Sequence, residues 1–274
     1  MTENETLVAA TKPDLILGLD ISTSCIGISI VLDDGENEPE IVKITHIVPK
    51  ISSKIKGIEA LILRKEIFEH DFLTTIKDLG ITECIIESPL TFTMGNSNAQ
   101  TVSQLLQFNG LLSEAVYRVL HIVPHYVTSY DARMQSFPNL LSLRKFNKKG
   151  VVYPLTHIEN AIKNNHLVLF GSFPFDCDKK TIMMNCVCEK YPNINWVYDK
   201  KGVLKKENFD ACDSLICVLA YINTKRHGDL DQVITDYSIN KNAENGTTII
   251  KYTMRVWGTD YQKEIILYPS EQNK

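Results

Sequence analysis

The spacing of apolar residues changes several times along the chain, and each change predicts a different element of secondary structure. Residues 15–32 are rich in Ile, Leu and Val, are interrupted by Gly and Ser, and stop at the polar turn DDGENE. This pattern predicts a β-hairpin whose first strand ends near Asp20. Shorter apolar runs at 40–50, 83–89 and 122–129 predict three further strands, the second of them stopped by a proline.

Apolar residues recur at helical spacing in four other segments. Two long amphipathic helices are predicted over 58–80 and 98–120, and two later helices over 179–190 and 209–224. In chain order the core therefore has three strands, a helix, a strand, a helix, a strand and the final helices. This order predicts an α/β fold in which helices pack on the faces of a mixed five-stranded sheet.

The domain organisation is predicted from the same pattern. Residues 1–13 form a polar tail, and residues 14–226 form one domain. Within this domain the stretch from about 138 to 178 is irregular, basic and interrupted by prolines, which predicts an insertion with one short helix near HIENAIKNNH. Alternating residues on either side of GTD predict a C-terminal β-hairpin extension within 227–274.

Composition argues against several classes of protein. Hydrophobic residues make up 44% of the chain and charged residues 23%, close to globular averages, which argues against disorder. No apolar run reaches the roughly 18 residues that a membrane span needs, and the N-terminus lacks the basic start and apolar stretch of a secretory signal. We expect a cytoplasmic protein without membrane association.

Seven cysteines, an odd number, lie in mostly apolar surroundings and include no C-x-x-C pair. They are predicted to be reduced and mostly buried thiols. Cys177, Cys186 and Cys188 form an alternative candidate metal site, but the sequence offers no fourth ligand at suitable spacing.

Positive charge is concentrated in about a quarter of the chain. The net charge is −4, yet residues 133–206 contain thirteen Lys and Arg against five Asp and Glu. The basic clusters RKFNKK (144–149) and KKGVLKK (200–206) could neutralise the phosphates of a nucleic acid, which would make binding depend steeply on salt. The alternative is a pair of solvated loops without a partner.

Four acidic residues end or begin predicted elements that this fold can bring together. Asp20 ends the first strand, Glu87 ends the fourth, and Asp210 and Asp213 lie on one face of the final helix. Two hard cations about 4 Å apart, held by carboxylates, can hydrolyse a phosphodiester. Each acid also has a structural alternative, such as a turn or a helix N-cap. Glu87, however, follows the apolar run 84–86, where a charge is costly unless a partner meets it.

Three blocks of the sequence resemble the RuvC-like Holliday-junction resolvase family. LGLDISTSCIGISIV has an Asp that ends a strand, then small residues and a second strand that begins with a Gly turn. IIESPLTFTMGNSNAQTVSQLLQFNGLLSEA has an acid after an apolar strand, then Asn and a helix with Gln before Gly. FDACDSLICVLAYI is similar to the closing D-x-x-D-A block, with Ser214 in place of the usual Ala. The blocks lie in the family's order between about Leu15 and Tyr221.

The resemblance implies an RNase H-like fold and a metal-dependent DNA endonuclease of the crossover-junction type. Asp20, Glu87, Asp210 and Asp213 would hold two Mg²⁺ ions, with Asp20 bridging both, and Mn²⁺ would substitute. Lys180 resembles the family's active-site lysine and would contact the scissile phosphate; alternatively it is an ordinary lysine at a helix start. The family's resolvases act as dimers on four-way DNA junctions, so branched DNA and a second copy of the chain are the expected partners.

Further residues are expected to bind DNA, namely Arg133, Arg144, Lys145, Lys148, Lys149, Lys179 and Phe92. The family usually has an aromatic wedge three residues after the second acid. That position is Leu90 here, and the nearest aromatic is Phe92, which leaves the wedge function open. The apolar stripe along residues 104–116 is either a dimer interface or part of the core.

The sequence is also compatible with three other functions. LGLDISTS also resembles the first phosphate loop of actin-like and sugar-kinase ATPases, although the second phosphate loop and the glycine-rich adenosine motif of that class are missing. A nuclease for flaps or other branched DNA differs little in sequence from a resolvase. The third is a DNA-binding protein without catalytic activity. We predict structure-specific cleavage of four-way junctions, while RNA cleavage stays possible because fold alone does not fix the substrate.

Overall fold

The structure, a computed structural model, describes residues 12–89, 98–169 and 178–272. The chain divides into two compact units. The first comprises Met1–Thr128 and Asn195–Val218, and the second comprises Ser129–Ile194 and Leu219–Lys274.

The described residues form ten strands and eight α-helices. In chain order these are β1 (Asp14–Ile21), β2 (Ile26–Asp33), β3 (Glu40–Ile47), α1 (Gly57–Phe68), α2 (Thr74–Ile76), β4 (Glu83–Glu87), α3 (Ala99–Leu120), β5 (His125–Val127), α4 (Ser129–Ser136), β6 (Leu141–Leu143), α5 (Leu155–Lys163), β7 (Leu167–Leu169), α6 (Lys179–Lys190), α7 (Glu207–His227), β8 (Gln232–Lys241), β9 (Thr248–Val256), β10 (Thr259–Leu267) and α8 (Pro269–Gln272). A π-helical turn, Glu69–Leu73, joins α1 to α2.

A mixed five-stranded sheet lies at the centre of the first unit. Its strand order is β3-β2-β1-β4-β5. The strands β1, β2 and β3 pair antiparallel, whereas β4 pairs parallel with both β1 and β5. An antiparallel hairpin followed by parallel strands is the arrangement of an RNase H-like fold, so the predicted fold class is confirmed.

The two faces of this sheet have different partners because side chains alternate along each strand. Leu17 and Leu19 of β1 point to a core that includes Phe68 of α1 and Phe108 of α3. On the opposite face the first half of α7 lies against the hairpin of β1 and β2. The helices α1 and α3 therefore cover one face of the sheet. The helix α7, which carries Asp210 and Asp213, lies on the other face.

The helix α3 contributes its apolar stripe to this core. Phe108, Leu112, Ala115 and Val116 are fully buried there. Burial in the core therefore accounts for most of the stripe along residues 104–116, and the structure adds no support for a dimer interface on it.

An ion network ties the end of the first helix to α3. The Glu69 carboxylate accepts hydrogen bonds from Lys65 Nζ at 3.3 Å and from Arg118 Nη2 at 2.5 Å. Arg118 also donates to Glu114 at 3.0 Å. Because the Glu69 side chain is only 20% exposed, this network is less screened by solvent than an ordinary surface ion pair.

The second unit contains a three-stranded antiparallel sheet, β10-β9-β8, and a two-stranded sheet, β6-β7. Ile250, Tyr252 and Met254 alternate along β9 and are buried in a second core with Leu143 and Ile158. The predicted C-terminal hairpin corresponds to β9 and β10. The strand β8 was not predicted, because most of its side chains are polar and exposed and its alternation is weak.

The segment predicted to be an irregular insertion contains regular structure where it is described. The strands β6 and β7 pair antiparallel, and α5 corresponds to the short helix predicted near HIENAIKNNH. Each strand has only three residues, too few for periodicity to reveal them.

The six cysteines among the described residues are free thiols, four of them buried. Cys177, one of the three cysteines of the alternative metal site, lies outside the described residues. In the described ranges, no helix combines the length and the apolar character that a membrane span requires.

Candidate metal centre

Asp20 and Glu87 lie beside each other at one edge of the central sheet. Leu19 pairs with Ile86 in the parallel ladder of β1 and β4, so Asp20 and Glu87 occupy the next position on the two strands. Parallel strands end at the same edge of a sheet, which brings the two carboxylates together. Ile86 points into the hydrophobic core, and alternation therefore turns Glu87 to the opposite face.

Two glycines allow α7 to lie directly on the β1–β2 hairpin. A Cβ at Gly18 would lie 2.5 Å from the carbonyl oxygen of Ser214, and a Cβ at Gly27 would lie 2.0 Å from that of Asp210. Gly27 is also the residue paired with Asp20 across the hairpin. The missing side chains thus bring the first turns of α7 over the strand that carries Asp20.

Three carboxylates meet at this point. One oxygen atom from each of Asp20, Glu87 and Asp213 lies within 4.8 Å of the others. Asp213 is 5% exposed, and the other two are half-buried. Such close negative charges repel one another at low solvent exposure, and a cation between them would remove that cost.

The donor set fits a hard divalent cation. All three ligand groups are carboxylates, and Mg²⁺ prefers oxygen ligands at about 2.0–2.1 Å with water completing its shell. Oxygen atoms around such an ion lie about 3 to 4 Å apart, so the observed spacing needs only a small contraction. The three carboxylates can therefore hold a hard divalent cation such as Mg²⁺ or Mn²⁺.

Asp210, the fourth predicted ligand, is not part of this group of three. Its carboxylate accepts a hydrogen bond from the thiol of Cys25. Burial raises the pKa of Cys25, and the charges of Asp210, Glu207 and Asp20 raise it further, so the thiol stays protonated and can donate. A ligand role for Asp210 remains a prediction. This role of Cys25 was not predicted, because the hydrogen bond joins the turn before β2 to α7, which are far apart in the sequence.

Arg133, Lys179 and Lys180, which are predicted to contact DNA, belong to the second unit. Lys179 and Lys180 begin α6, whose N-cap Asp178 accepts hydrogen bonds from the backbone nitrogen atoms of Lys180 and Thr181. Arg133 lies in the last turn of α4. Contact between these residues and DNA remains a prediction. Phe92 lies outside the described residues.

Lys148 and Lys149 occupy the tip of a hairpin closed by a bridge between residues 146 and 152. Asn147 Oδ1 accepts hydrogen bonds from the backbone nitrogen atoms of Lys149 at 2.8 Å and Val151 at 3.0 Å. Gly150 follows with a φ of +78°, a conformation that favours glycine. The turn leaves both lysines exposed.

The same turn occurs a second time at Lys200 and Lys201. Asp199 Oδ1 accepts from the backbone nitrogen atoms of Lys201 at 2.7 Å and Val203 at 2.9 Å, and Gly202 has a φ of +76°. The sequences FNKKGV (146–151) and YDKKGV (198–203) thus form matching hairpins with two exposed lysines each. Sequence analysis found both basic clusters but not that their turns repeat.

Comparison with known proteins gives structural likenesses only. No family model matches the chain, and no curated protein sequence is detectably similar to it. Thermus thermophilus RuvC in complex with a Holliday junction substrate matches with a TM-score of 0.48 and 11% identity, over 78% of this chain and 96% of that chain. The yeast mitochondrial Holliday junction resolvase Ydc2 matches with a TM-score of 0.42 and 8% identity, over 77% of this chain and 78% of that chain.

A PPX-GPPA enzyme of Aquifex aeolicus matches with a TM-score of 0.32 and 7% identity, over 94% of this chain and 53% of that chain. The strand order and the carboxylates of the chain itself therefore define its class: an RNase H-like protein with an acidic cluster, suited to a divalent cation, at the edge of its sheet.

Proposed function

We propose that this protein is a metal-dependent endonuclease that cuts branched DNA, with four-way junctions as its leading substrate. The observation that carries the proposal is the meeting of Asp20, Glu87 and Asp213 at one edge of an RNase H-like sheet. Sequence analysis singled out the same three residues among four acids that match the blocks of RuvC-like resolvases. Chain order, fold and geometry thus support one site.

The protein's own residues would hold and orient the divalent cations. When bound, Mg²⁺ supplies an activated water and stabilises the leaving oxygen of a phosphodiester. The Asp20 carboxylate is close to both Glu87 of β4 and Asp213 of α7, so Asp20 is proposed as the ligand shared by two ions. Asp210, held by the Cys25 thiol, begins the same helix as Asp213 and is proposed as the ligand that completes the second position.

Binding of DNA is proposed to depend on the two lysine hairpins. Lys148, Lys149, Lys200 and Lys201 are all exposed at the tips of hydrogen-bonded turns. Lysine acts as a point charge on phosphate and carries no preference for base sequence. These residues would therefore supply affinity for the DNA backbone.

The choice of a four-way junction, rather than a flap or fork, rests on the three blocks that resemble the resolvase family. A dimer would place two cleavage sites on the two symmetric strands of a junction. Dimer formation is therefore part of the proposal, and sedimentation velocity of the free protein and its junction complex would measure it.

The test compares two glutamates at opposite ends of β4. Glu87 is in the cluster, whereas Glu83 pairs with Ile16 at the other end of the strand. Labelled four-way junction, flap, plain duplex and single-stranded RNA are incubated with wild type, Glu87→Gln and Glu83→Gln, with Mg²⁺ or with EDTA. We expect paired symmetric nicks in the junction, abolished by EDTA and by Glu87→Gln but retained in Glu83→Gln.

Each other outcome has a definite meaning. Metal-dependent cutting mainly of flaps or RNA, with the same response to Glu87→Gln, would keep the nuclease and reject the resolvase. Equal loss of cutting in Glu83→Gln would reject the specific role of the cluster. Absence of cutting on all four substrates, with junction binding retained, would favour a DNA-binding protein without catalytic activity. If junction binding is also absent, ATP hydrolysis should be assayed.

A further inference from the structure

A polar pocket lies in the second unit, within the basic segment 133–206 and separate from the residues of the metal centre. Its volume is about 310 Å³. The polar side chains that line it are those of Arg144, Tyr153, His157, Asn160, Asn164 and His166. All six offer hydrogen-bond donors, and none is a carboxylate. A pocket with this lining is suited to an anion.

The short sheet of β6 and β7 brings two of these donors together. Leu143 pairs with Leu167 in the antiparallel ladder, so Arg144 and His166 are the next residues across from each other. Leu143 and Leu167 are buried, and alternation turns Arg144 and His166 to the other side. Side chains opposite each other on antiparallel strands have Cβ atoms about 5 Å apart, close enough to bind one phosphate together.

The other donors come from α5 and the residues that flank it. His157 and Asn160 lie three residues apart and share one face of that helix. Asn164 and His166 are held in place because Asn165, between them, anchors its side chain to β8. Its Nδ2 donates to the carbonyl oxygen of Gln232 at 2.6 Å, and its Oδ1 accepts from the backbone of Ile234 at 2.8 Å.

The pocket also offers an aromatic wall. The rings of Tyr153 and His157 lie with centroids 5.6 Å apart and planes inclined by 46°. Tyr153 is fixed at the base of the first lysine hairpin by a 2.7 Å hydrogen bond from its backbone nitrogen to Lys145. Nucleic-acid bases of any kind can stack on such rings, whereas inorganic phosphate has no ring with which to stack.

Within the described residues, the six polar side chains of the pocket make no hydrogen bond or ion pair to the rest of the protein. His157, Asn160, Asn164 and His166 are exposed, and Arg144 and Tyr153 are half-buried, so the six donors line a pocket that is open to solvent and that a ligand with acceptors and a flat ring can enter. The volume is at the lower end of the range for small-molecule sites, about 300–1,000 Å³, which matches one nucleotide.

We infer that this pocket binds a single nucleotide, with its phosphate on Arg144 and His166 and its base against Tyr153 and His157. The nucleotide is either free or part of a single strand that the protein has bound. Only binding of a nucleotide within a single strand rests on the proposed nuclease function. The planar guanidinium group of Arg144 can donate hydrogen bonds to two phosphate oxygens at once.

The inference is tested by calorimetric titration of the full chain in EDTA, which keeps metals from the acidic cluster. The probes are 5′-dAMP, deoxyadenosine, inorganic phosphate and a 5′-phosphorylated single-stranded tetranucleotide. We expect saturable binding of 5′-dAMP, stronger than that of either deoxyadenosine or phosphate. Arg144→Gln should weaken it about tenfold or more, the usual effect of removing a charged hydrogen-bonding partner.

Two further variants control for charge and folding. Lys163→Gln removes the same charge from an exposed position of α5 that does not line the pocket, and should leave the affinity within about twofold. Asn164→Asp keeps the shape of an exposed side chain and adds a negative charge, so it should also weaken binding. Thermal melts of each variant verify folding.

Equal weakening by Lys163→Gln, equal binding of deoxyadenosine and 5′-dAMP, or no saturable binding of any probe would overturn the inference. Binding of the tetranucleotide alone, sensitive to Arg144→Gln, would support the pocket and identify a DNA strand as its source. Glu87→Gln should leave 5′-dAMP binding unchanged, so a failure of the nuclease proposal and a failure of the pocket are distinguishable.

Discussion

Gly27 faces the backbone of Asp210 so closely that even a methyl group at Gly27 would lie 2.0 Å from its carbonyl oxygen. Gly27→Ala therefore forces β2 and α7 apart. We expect a loss of unfolding free energy of about 3 kcal/mol, the upper part of the range for overpacked cores, together with loss of cleavage because Asp213 moves with the helix. Urea denaturation and the junction assay measure both effects.

Gly110 is the matched control for that substitution. It lies in the middle of α3, and a Cβ there would meet open space. Gly110→Ala should be neutral or should stabilise the protein by about 0.5–1 kcal/mol, because alanine is the better helix former. An equal loss of stability in both variants would contradict the close packing of α7 on the hairpin.

The cluster predicts that divalent cations stabilise the folded protein. Mg²⁺ or Mn²⁺ should raise the melting temperature of wild type, with a gain of about 2.7 kcal/mol when the ion is at a hundred times its dissociation constant. Asp213→Asn should lose this gain. Without metal the variant should be at least as stable as wild type, since one of three close charges is gone.

Differential scanning fluorimetry across a metal titration measures the effect, and Glu83→Gln is the control that should keep it. A metal-dependent rise of the same size in Asp213→Asn and wild type would show that the ion binds elsewhere.

The Glu69 network predicts a loss of stability in acid. The hydrogen bond from Arg118, assisted by that from Lys65, lowers the pKa of Glu69 below its ordinary value of 4.5. A carboxyl group with a lowered pKa stabilises the fold above its unfolded-state value, and the contribution disappears as the pH falls through the folded-state value. Glu69→Gln should therefore cost about 1 kcal/mol at pH 6–7 and progressively less below pH 4.5.

Glu114 is the comparison for Glu69, because it accepts from the same arginine but its side chain is 54% exposed. Glu114→Gln should change the unfolding free energy by less than about 0.5 kcal/mol. Urea unfolding at a series of pH values distinguishes the two. A Glu69→Gln effect that does not shrink in acid would exclude its charge as the cause.

The matching hairpins predict a change in the salt dependence of DNA binding. Replacing Lys148 and Lys149 by Gln should reduce the slope of log affinity against log salt by about 2 if both contact phosphates, and the pair Lys200 and Lys201 should behave alike. Fluorescence anisotropy with a junction at several salt concentrations gives the slopes.

The control for the hairpins replaces Lys54 and Lys56, two exposed lysines of the first unit, by Gln. It makes the same change in net charge and should leave the slope unaltered. If all three double variants change the slope equally, the effect comes from overall charge rather than from the tips.

Much of the central sheet could be predicted because β1, β2 and β4 are largely buried apolar runs that end at recognisable turns. Asp20 and Glu87 could be found for the same reason: a carboxylate that follows a buried strand is conspicuous. Contacts between polar side chains that belong to different strands, turns and helices could not be predicted. The hydrogen bond from Cys25 to Asp210 and the placement of Arg144 opposite His166 depend on packing and register, and neither leaves a periodic signal.

The strand β8 was missed for a related reason. Its partner β9 buries every second residue, but β8 is largely polar, and it is specified by pairing rather than by its own hydrophobicity. The sequence of β8 has only a weak alternation of apolar and polar residues, so periodicity did not reveal this strand.

The repeated hairpin has a consequence for how this protein could change through evolution. An Asn in one copy and an Asp in the other make the same two hydrogen bonds, and a glycine closes each turn. The side chains of the two lysines between the Asn or Asp and the glycine take no part in these hydrogen bonds, so the turn does not require lysine at either position. Mutation can exchange those lysines for other residues while the turn survives, so natural selection can adjust affinity for a polyanion at these tips independently of the selection that maintains the fold.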